Sequence, residues 1–202
     1  MSPSAKTFIA GAIIAGGRSS RMGEDKRLLT FEDETFLERA AKLLHGVCSE
    51  VLYAAPDPPP LPIEARHAPD RFPGMGVLSG IHAALCEAST DRVLCIAVDT
   101  PLLTAEWLVL MDRRCRETGL PCIPRTGRRL HPLPGCYPAS VRPYVEAALR
   151  EGRSTAYRLL EAIGAVSIDE DEADRNGCSP AALTNVNTPE DWRALLEVSR
   201  RR

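Results

Sequence analysis

Phe8-Ile9-Ala10-Gly11-Ala12-Ile13-Ile14 runs without a break into Ala15-Gly16-Gly17-Arg18-Ser19-Ser20-Arg21-Met22-Gly23-Glu24-Asp25-Lys26. A continuous apolar run of this length, stopped by glycines, suits a strand buried on both faces, as in a parallel sheet. Glycines let main-chain N–H groups turn toward a phosphate without side-chain obstruction. Arg18, Arg21 and Lys26 add positive charge, the arginines as planar forks and the lysine as a movable point charge. The segment is not a P-loop, because no Gly-Lys-Ser/Thr ends it, and it lacks G-x-G-x-x-G spacing. A polar strand-to-helix turn with surface charges is the plain alternative. Glycines and basic residues together, directly after a buried strand, favour phosphate binding.

The rest of the chain repeats the same alternation. Phe36, Leu37, Ala40, Ala41, Leu43, Leu44 and Val47 recur at helical spacing, and residues 51–55 read as a second strand ended by prolines. Residues 77–88 are expected to be helical, and 93–98 a third apolar strand ending at Asp99. A helix follows over about 104–117, then a Pro-broken extended stretch (122–137), two helices within 141–163, and a strand near Val166. The last helix has Thr188 as N-cap, Pro189 at its first position, and Glu190 and Asp191 at the positive end of its dipole. This order implies an α/β fold of three layers, a mainly parallel sheet flanked by helices. Ligands of such sheets bind beyond the carboxyl ends of the strands.

Composition excludes several classes. The 202 residues are 44% apolar and 26% charged with a formal net charge of −2, so no general basic field exists for DNA or RNA. Lys6 followed by residues 8–15 resembles a signal peptide, but the stretch is short and leads straight into the glycine-rich segment. No run approaches a membrane span, and a soluble, cytoplasmic protein is expected. The seven cysteines form no C-x-x-C and sit mostly in apolar runs, as reduced buried thiols would. Pro56-Asp57-Pro58-Pro59-Pro60-Leu61-Pro62 reads as a stiff surface loop, with a polyproline ligand as the other reading. No internal repeat or domain boundary is visible, so residues 1–202 are expected to form a single domain.

The glycine-rich segment resembles the A-G-G-x-S-x-R-M-G-x-D-K signature of the molybdenum cofactor guanylyltransferase family, at every signature position. The similarity continues at Asp70, Gly76-x-x-x-Gly80, Asp99-Thr100-Pro101 and Asn185-Val186-Asn187-Thr188-Pro189-Glu190. Cytidylyltransferase relatives usually carry Ala-Ala-Gly, so Gly16 and the terminal motif point to guanylyl transfer. The resemblance implies a Rossmann-like nucleotidyltransferase fold, with a nucleotide-binding N-terminal part and an acceptor-binding C-terminal part. It implies transfer of GMP from GTP to the phosphate of molybdopterin, with Mg²⁺ as cofactor (Mn²⁺ able to substitute) and release of pyrophosphate. Arg21, Lys26 and Asp99 are the expected catalytic residues. Ile14, Ala15, Gly16, Gly17, Arg21, Lys26, Asp70, Gly76, Gly80 and Asp99 are expected around the nucleotide, with Asp99 on the metal. Arg153, Asn185 and Asn187 are expected at the acceptor, and a molybdoenzyme or its chaperone is the expected recipient of the product.

Each assignment has a plainer alternative. Asp99 at a strand end, before Pro101, is a common turn acceptor. Asp70 and the two glycines suit an ordinary turn and helix start, and Arg153 a solvated surface. Asn185 and Asn187 alternate and so face one side of an extended segment, toward a ligand or as loop caps. His45, His67 and His82 have no metal spacing and read as structural, and His131 is a weaker candidate than Arg153. Where the family often has an asparagine after the second strand, this chain has Ala54 or Ala55. The competing functions are cytidylyl or sugar-phosphate nucleotidyl transfer on the same scaffold, and a non-catalytic nucleotide or cofactor-delivery subunit.

Overall fold

The computed structural model describes residues 7–16 and 25–199. The first strand, β1 (Thr7–Ile14), lies inside the main sheet, hydrogen-bonded in parallel to β4 (Cys48–Ala55) on one side and β6 (Arg92–Ala97) on the other. Its side chains alternate between two apolar layers, Ile9 and Ile13 facing one and Ala10, Ala12 and Ile14 the other. The expected burial on both faces therefore holds from Ile9 onward. Phe8, near the amino end, is 73% exposed.

A hairpin, β2 (Thr30–Phe31) and β3 (Glu34–Thr35), precedes α1 (Phe36–Val47). Thr35 caps α1 reciprocally: its hydroxyl accepts from the Glu38 N–H, while the Glu38 carboxylate accepts from the Thr35 N–H. The buried stripe Phe36, Leu37, Ala40, Ala41, Leu44 and Val47 then lays the helix on the sheet. After β4 the Pro-rich connection leads to β5 (Arg66–Pro69), parallel to β4, so that stretch is a loop between strands.

Helix α2 (Val77–Glu87) crosses to the opposite face and returns to β6 on the far side of β1. Next come α3 (Ala105–Thr118), β7 (Cys122–Thr126), β8 (Arg129–Leu130), β9 (Gly135–Pro138), α4 (Arg142–Arg150), α5 (Ala156–Ala162), β10 (Val166–Ile168), α6 (Glu170–Arg175) and α7 (Pro189–Ser199). The strand order is β10-β7-β9-β6-β1-β4-β5, with β8 paired to β7. Within that order β9 runs antiparallel to β6 and β7, and the other pairs are parallel. Helices α1 and α3 cover one face; α2, α4 and α5 cover the other. The chain reverses its direction of winding at β1. That reversal is where an open α/β sheet opens a crevice at its carboxyl edge.

Candidate active site

Register aligns the carboxyl ends of the central strands. Ile14 pairs with Ala54 on β4 and with Ala97 on β6, and Ala54 pairs in turn with Ala68 on β5. Ala15–Gly16, Ala55, Asp70 and Asp99 therefore emerge along one edge. The Ala15 N–H donates to the Ala54 carbonyl (3.0 Å), which extends the ladder one residue past β1.

Asp99 is the centre of a polar network drawn from both ends of the chain. Its Oδ1 accepts from the Asn185 side-chain amide at 2.9 Å, and its Oδ2 lies 3.7 Å from the Lys26 Nζ. Lys26 also donates to the Asn187 Oδ1 at 2.6 Å. The carbonyl of Asp99 accepts from the Val186 N–H at 2.8 Å, which ties the terminal segment to the end of β6. Val186 is buried with Phe31, Phe36 and Leu195, against Trp192. The alternation read from the sequence thus turns Asn185 to the carboxylate, Asn187 to the Lys26 ammonium and the valine into an apolar cluster. Thr188 and Asp191 exchange caps at the start of α7, holding this segment from its other side. Burial pushes the Asp99 carboxyl above the usual carboxylate range, with the Lys26 ammonium and the Asn185 amide pulling it back. A desolvated carboxylate of this kind gains from any added cation.

Asp70 leaves β5 beside Gly16. A Cβ placed on Gly16 would stand 3.7 Å from the Asp70 Oδ2. Asp70 also shapes its own loop, accepting from the Phe72 N–H (2.8 Å) and from the Ser79 hydroxyl (2.9 Å). Gly76, at φ 70° and ψ −151°, precedes α2 in a conformation close to glycine's own, and no side chain caps that helix. Gly80 is different: it is buried one turn into α2, and a Cβ there would lie 2.4 Å from the Ile14 Cγ2. Its missing side chain lets helix and strand meet.

Arg153 is not part of the Lys26–Asp99 network. It is exposed in the α4–α5 turn and bonded to Glu151 (Nε 2.7 Å). Gly17 and Arg21, with the residues around them, lie outside the described residues. Ala54 and Ala55 are buried methyls, so β4 ends without a side-chain amide. His45 and His67 bond main-chain carbonyls, of Glu64 and Ala55, and His82 packs edge-on to Phe72. His131 bonds the Thr126 hydroxyl at 2.7 Å. None of the seven cysteines forms a disulfide. Among the described residues no group of three or more His, Cys, Asp or Glu could hold a metal, and no helix is long and apolar enough to cross a membrane.

Sequence reasoning missed two parts of this edge. Ser79 had a faint signal, a hydroxyl three residues after a helix-starting glycine. Tyr53, fully buried on β4, receives a hydrogen bond from Arg27. Inside an apolar strand nothing in the sequence marks that tyrosine.

The family described as MobA-like NTP transferase domain matches residues 11–168. "Probable molybdenum cofactor guanylyltransferase" of Pelotomaculum thermopropionicum is 33% identical over 94% of this chain and 94% of its own. Its namesake in Methanothermobacter thermautotrophicus is 35% identical over 90% and 96%. Among solved structures, molybdopterin-guanine dinucleotide biosynthesis protein A from Archaeoglobus fulgidus superposes with a TM-score of 0.83 at 21% identity, covering 96% of this chain and 100% of that one. The 2-C-methyl-D-erythritol 4-phosphate cytidylyltransferase of Thermus thermophilus superposes at 0.70 with 18% identity, over 96% and 100%. The two structures share the fold, and the sequence relatives narrow the family. The chain belongs to the molybdenum cofactor guanylyltransferase family of MobA-like nucleotidyltransferases.

Proposed function

We propose that this chain is a single-domain enzyme that transfers GMP from GTP to the phosphate of molybdopterin and releases pyrophosphate. The observation that carries the reading is the network of Lys26, Asp99, Asn185 and Asn187 at the carboxyl edge of β1 and β6. An acceptor phosphomonoester has its second pKa near ~6 and is mostly dianionic at neutral pH, so it attacks the α-phosphorus without a general base. The difficulty is electrostatic. Two polyanions must meet, and charge grows on the departing pyrophosphate, so fixed cations are needed.

Lys26 supplies one such cation, and Arg21 and the main-chain N–H groups of Gly16 and Gly17 act beside it on the triphosphate. Asp70, Gly76 and the start of α2 border the nucleotide. Asn185, Asn187 and Arg153 meet the acceptor, whose half of the site is C-terminal.

Asp99 fits Mg²⁺ by its chemistry. Mg²⁺ commonly takes one or two carboxylates and completes its shell with phosphate oxygens and water. Asp99 offers a mostly desolvated carboxylate, and Asn185 an amide whose oxygen is a second donor. When bound, the ion neutralises phosphate charge. Asp99 holds the position, and Asn185 orients the carboxylate. Thiols outside any disulfide are in keeping with the cytoplasm, where a molybdoenzyme or its chaperone would receive the product.

The test is product mass from purified protein with molybdopterin, Mg²⁺ and equal GTP, CTP, ATP and UTP. A site that pairs guanine's N1–H and amino group leaves two acceptors empty with adenine, at about 1–3 kcal/mol each. GTP is therefore expected to lead ATP by about 10² or more. CTP equal to or ahead of GTP refutes guanylyl transfer, and the methyls of Ala54 and Ala55 would then mark a site that reads another base.

A further inference from the structure

Lys26 stands between two residues that are bound to each other. Asp25 caps the short 3-10 turn Lys26–Leu28, its Oδ1 accepting from the Arg27 N–H at 3.0 Å. The Arg27 guanidinium closes on the same carboxylate, Nε donating to Oδ1 at 2.8 Å and Nη2 to Oδ2 at 2.5 Å. The third nitrogen, Nη1, donates to the hydroxyl of Tyr53 at 2.8 Å. Tyr53 is fully buried on β4. The turn is thus fastened to the sheet by one charged fork, each nitrogen of which makes a hydrogen bond.

We infer that Arg27 and Tyr53 are positioning residues that aim Lys26 from the end of the phosphate loop toward Asp99 and Asn187. The inference rests on the reading of Lys26 as a triphosphate ligand. A lysine side chain has several freely rotating bonds, and fixing its main chain on both sides removes much of the search for the reacting geometry. Arg27 does this through the Asp25 carboxylate and the Tyr53 hydroxyl that its guanidinium binds. Held by Arg27, the Asp25 carboxyl lies below the usual carboxylate range, so the clasp stays charged at neutral pH.

Lysine chemistry makes the test specific. The chain has three lysines, Lys6, Lys26 and Lys42. The Lys26 side chain is 13% exposed and that of Lys42 74%. The ligand-free full chain, as wild type, Tyr53→Phe and Arg27→Met, is pulsed with acetic anhydride, and each lysine is followed by peptide mass spectrometry. Tyr53→Phe removes one oxygen and keeps the buried ring, so it preserves the fold even if Arg27→Met does not.

One hydrogen bond is worth about 1 kcal/mol, so Lys26 should acetylate about fivefold faster in Tyr53→Phe, with Lys42 unchanged. A Lys26 rate equal to wild type in Tyr53→Phe overturns the inference. The nucleotidyl transfer assay gives the second reading. Tyr53→Phe should lower kcat by a similar factor in the wild-type background and leave the residual turnover of Lys26→Ala unchanged. Equal losses in both backgrounds also overturn it. Absence of transfer by wild type would defeat the proposed function, whereas the acetylation contrast decides the clasp by itself.

Discussion

Gly80→Ala separates packing from ligand contact at a position where the family resemblance suggests a nucleotide neighbour. Carbon atoms pack at about 3.5–4.0 Å, so a methyl 2.4 Å from the Ile14 Cγ2 demands a shift of more than about 1 Å. Ile14 cannot easily give way. It is β-branched and stiff at χ1, and it ends β1 in register with Ala54 on one side and Ala97 on the other. Helix α2 is also held, with Leu78, Ile81, Ala84 and Leu85 buried against the same layer. Overpacking of this kind costs about 1–3 kcal/mol, whereas Gly→Ala inside a helix normally gains about 1 kcal/mol. With both partners fixed, the cost falls toward the upper end and the net loss is about 1–2 kcal/mol. For a chain of this size that lowers Tm by about 2–8 °C. Calorimetry would measure the loss on Gly80→Ala, Ile14→Leu and the double variant. Leucine moves the branch away from Cβ, so the double variant should recover about 1 kcal/mol relative to additivity. A Gly80→Ala protein as stable as wild type, as helix propensity alone would predict, refutes the close approach.

Two further predictions address the charged groups. Asp99→Asn keeps the Asn185 N–H bonded to an oxygen, so the fold should persist while kcat falls by about 10²–10³ and the Mg²⁺ optimum moves upward. An unchanged Mg²⁺ dependence would remove Asp99 from the metal. Burial, helped by Arg129, holds the His131 imidazole below its ordinary value, so the unfolded chain binds that proton more readily. Its contribution to stability is present above about pH 6.5 and is lost as pH falls below it. His131→Gln should flatten the fall in Tm between about pH 7 and pH 5, and parallel Tm curves for the two proteins would contradict this.

How much of this was legible depended on whether the signal was local. Apolar runs and helical periodicity placed β1, α1, β4, α2, β6 and α3, because each buries a face that its own side chains specify. The antiparallel β9 between β6 and β7 left no such mark, since strand order is a matter of long-range pairing. Helix α6 escaped notice because its six residues bury little beyond Ala173, and its signal is the Asp169 cap on the Glu172 N–H. The Glu32–Asp33 turn of the small hairpin depends on two non-glycine residues at positive φ, which composition does not announce. At the site, the placing of Asp99 at a strand end and the alternation of the paired asparagines could be read directly. The partners Ser79, Arg27 and Tyr53 could not, because a serine in a helix and a tyrosine in an apolar strand acquire meaning only from what stands opposite.

The match to the transferase domain ends at residue 168, yet the side chains bonded to Asp99 and Lys26 come from residues 185 and 187. The region inside that boundary contains the glycine-rich segment, the lysine and the carboxylate, which the proposed function assigns to the nucleotide and its metal. The terminal segment adds two amides, and its placement is secured by groups remote from the chemistry. The Val186 N–H is bonded to the Asp99 carbonyl, Val186 is buried beside Phe31 and Phe36, and the Trp107 indole N–H donates to the Ser179 carbonyl at 3.0 Å. Burial of Asp99 is the largest influence on its proton affinity, so a segment that packs onto the end of β6 also tunes the carboxylate for a cation. On the proposed reading, phosphate handling and acceptor choice are carried by different stretches of chain that meet at one side chain. Substitutions near Thr188 and Trp192 should consequently alter the use of the acceptor before they alter the affinity for the nucleotide.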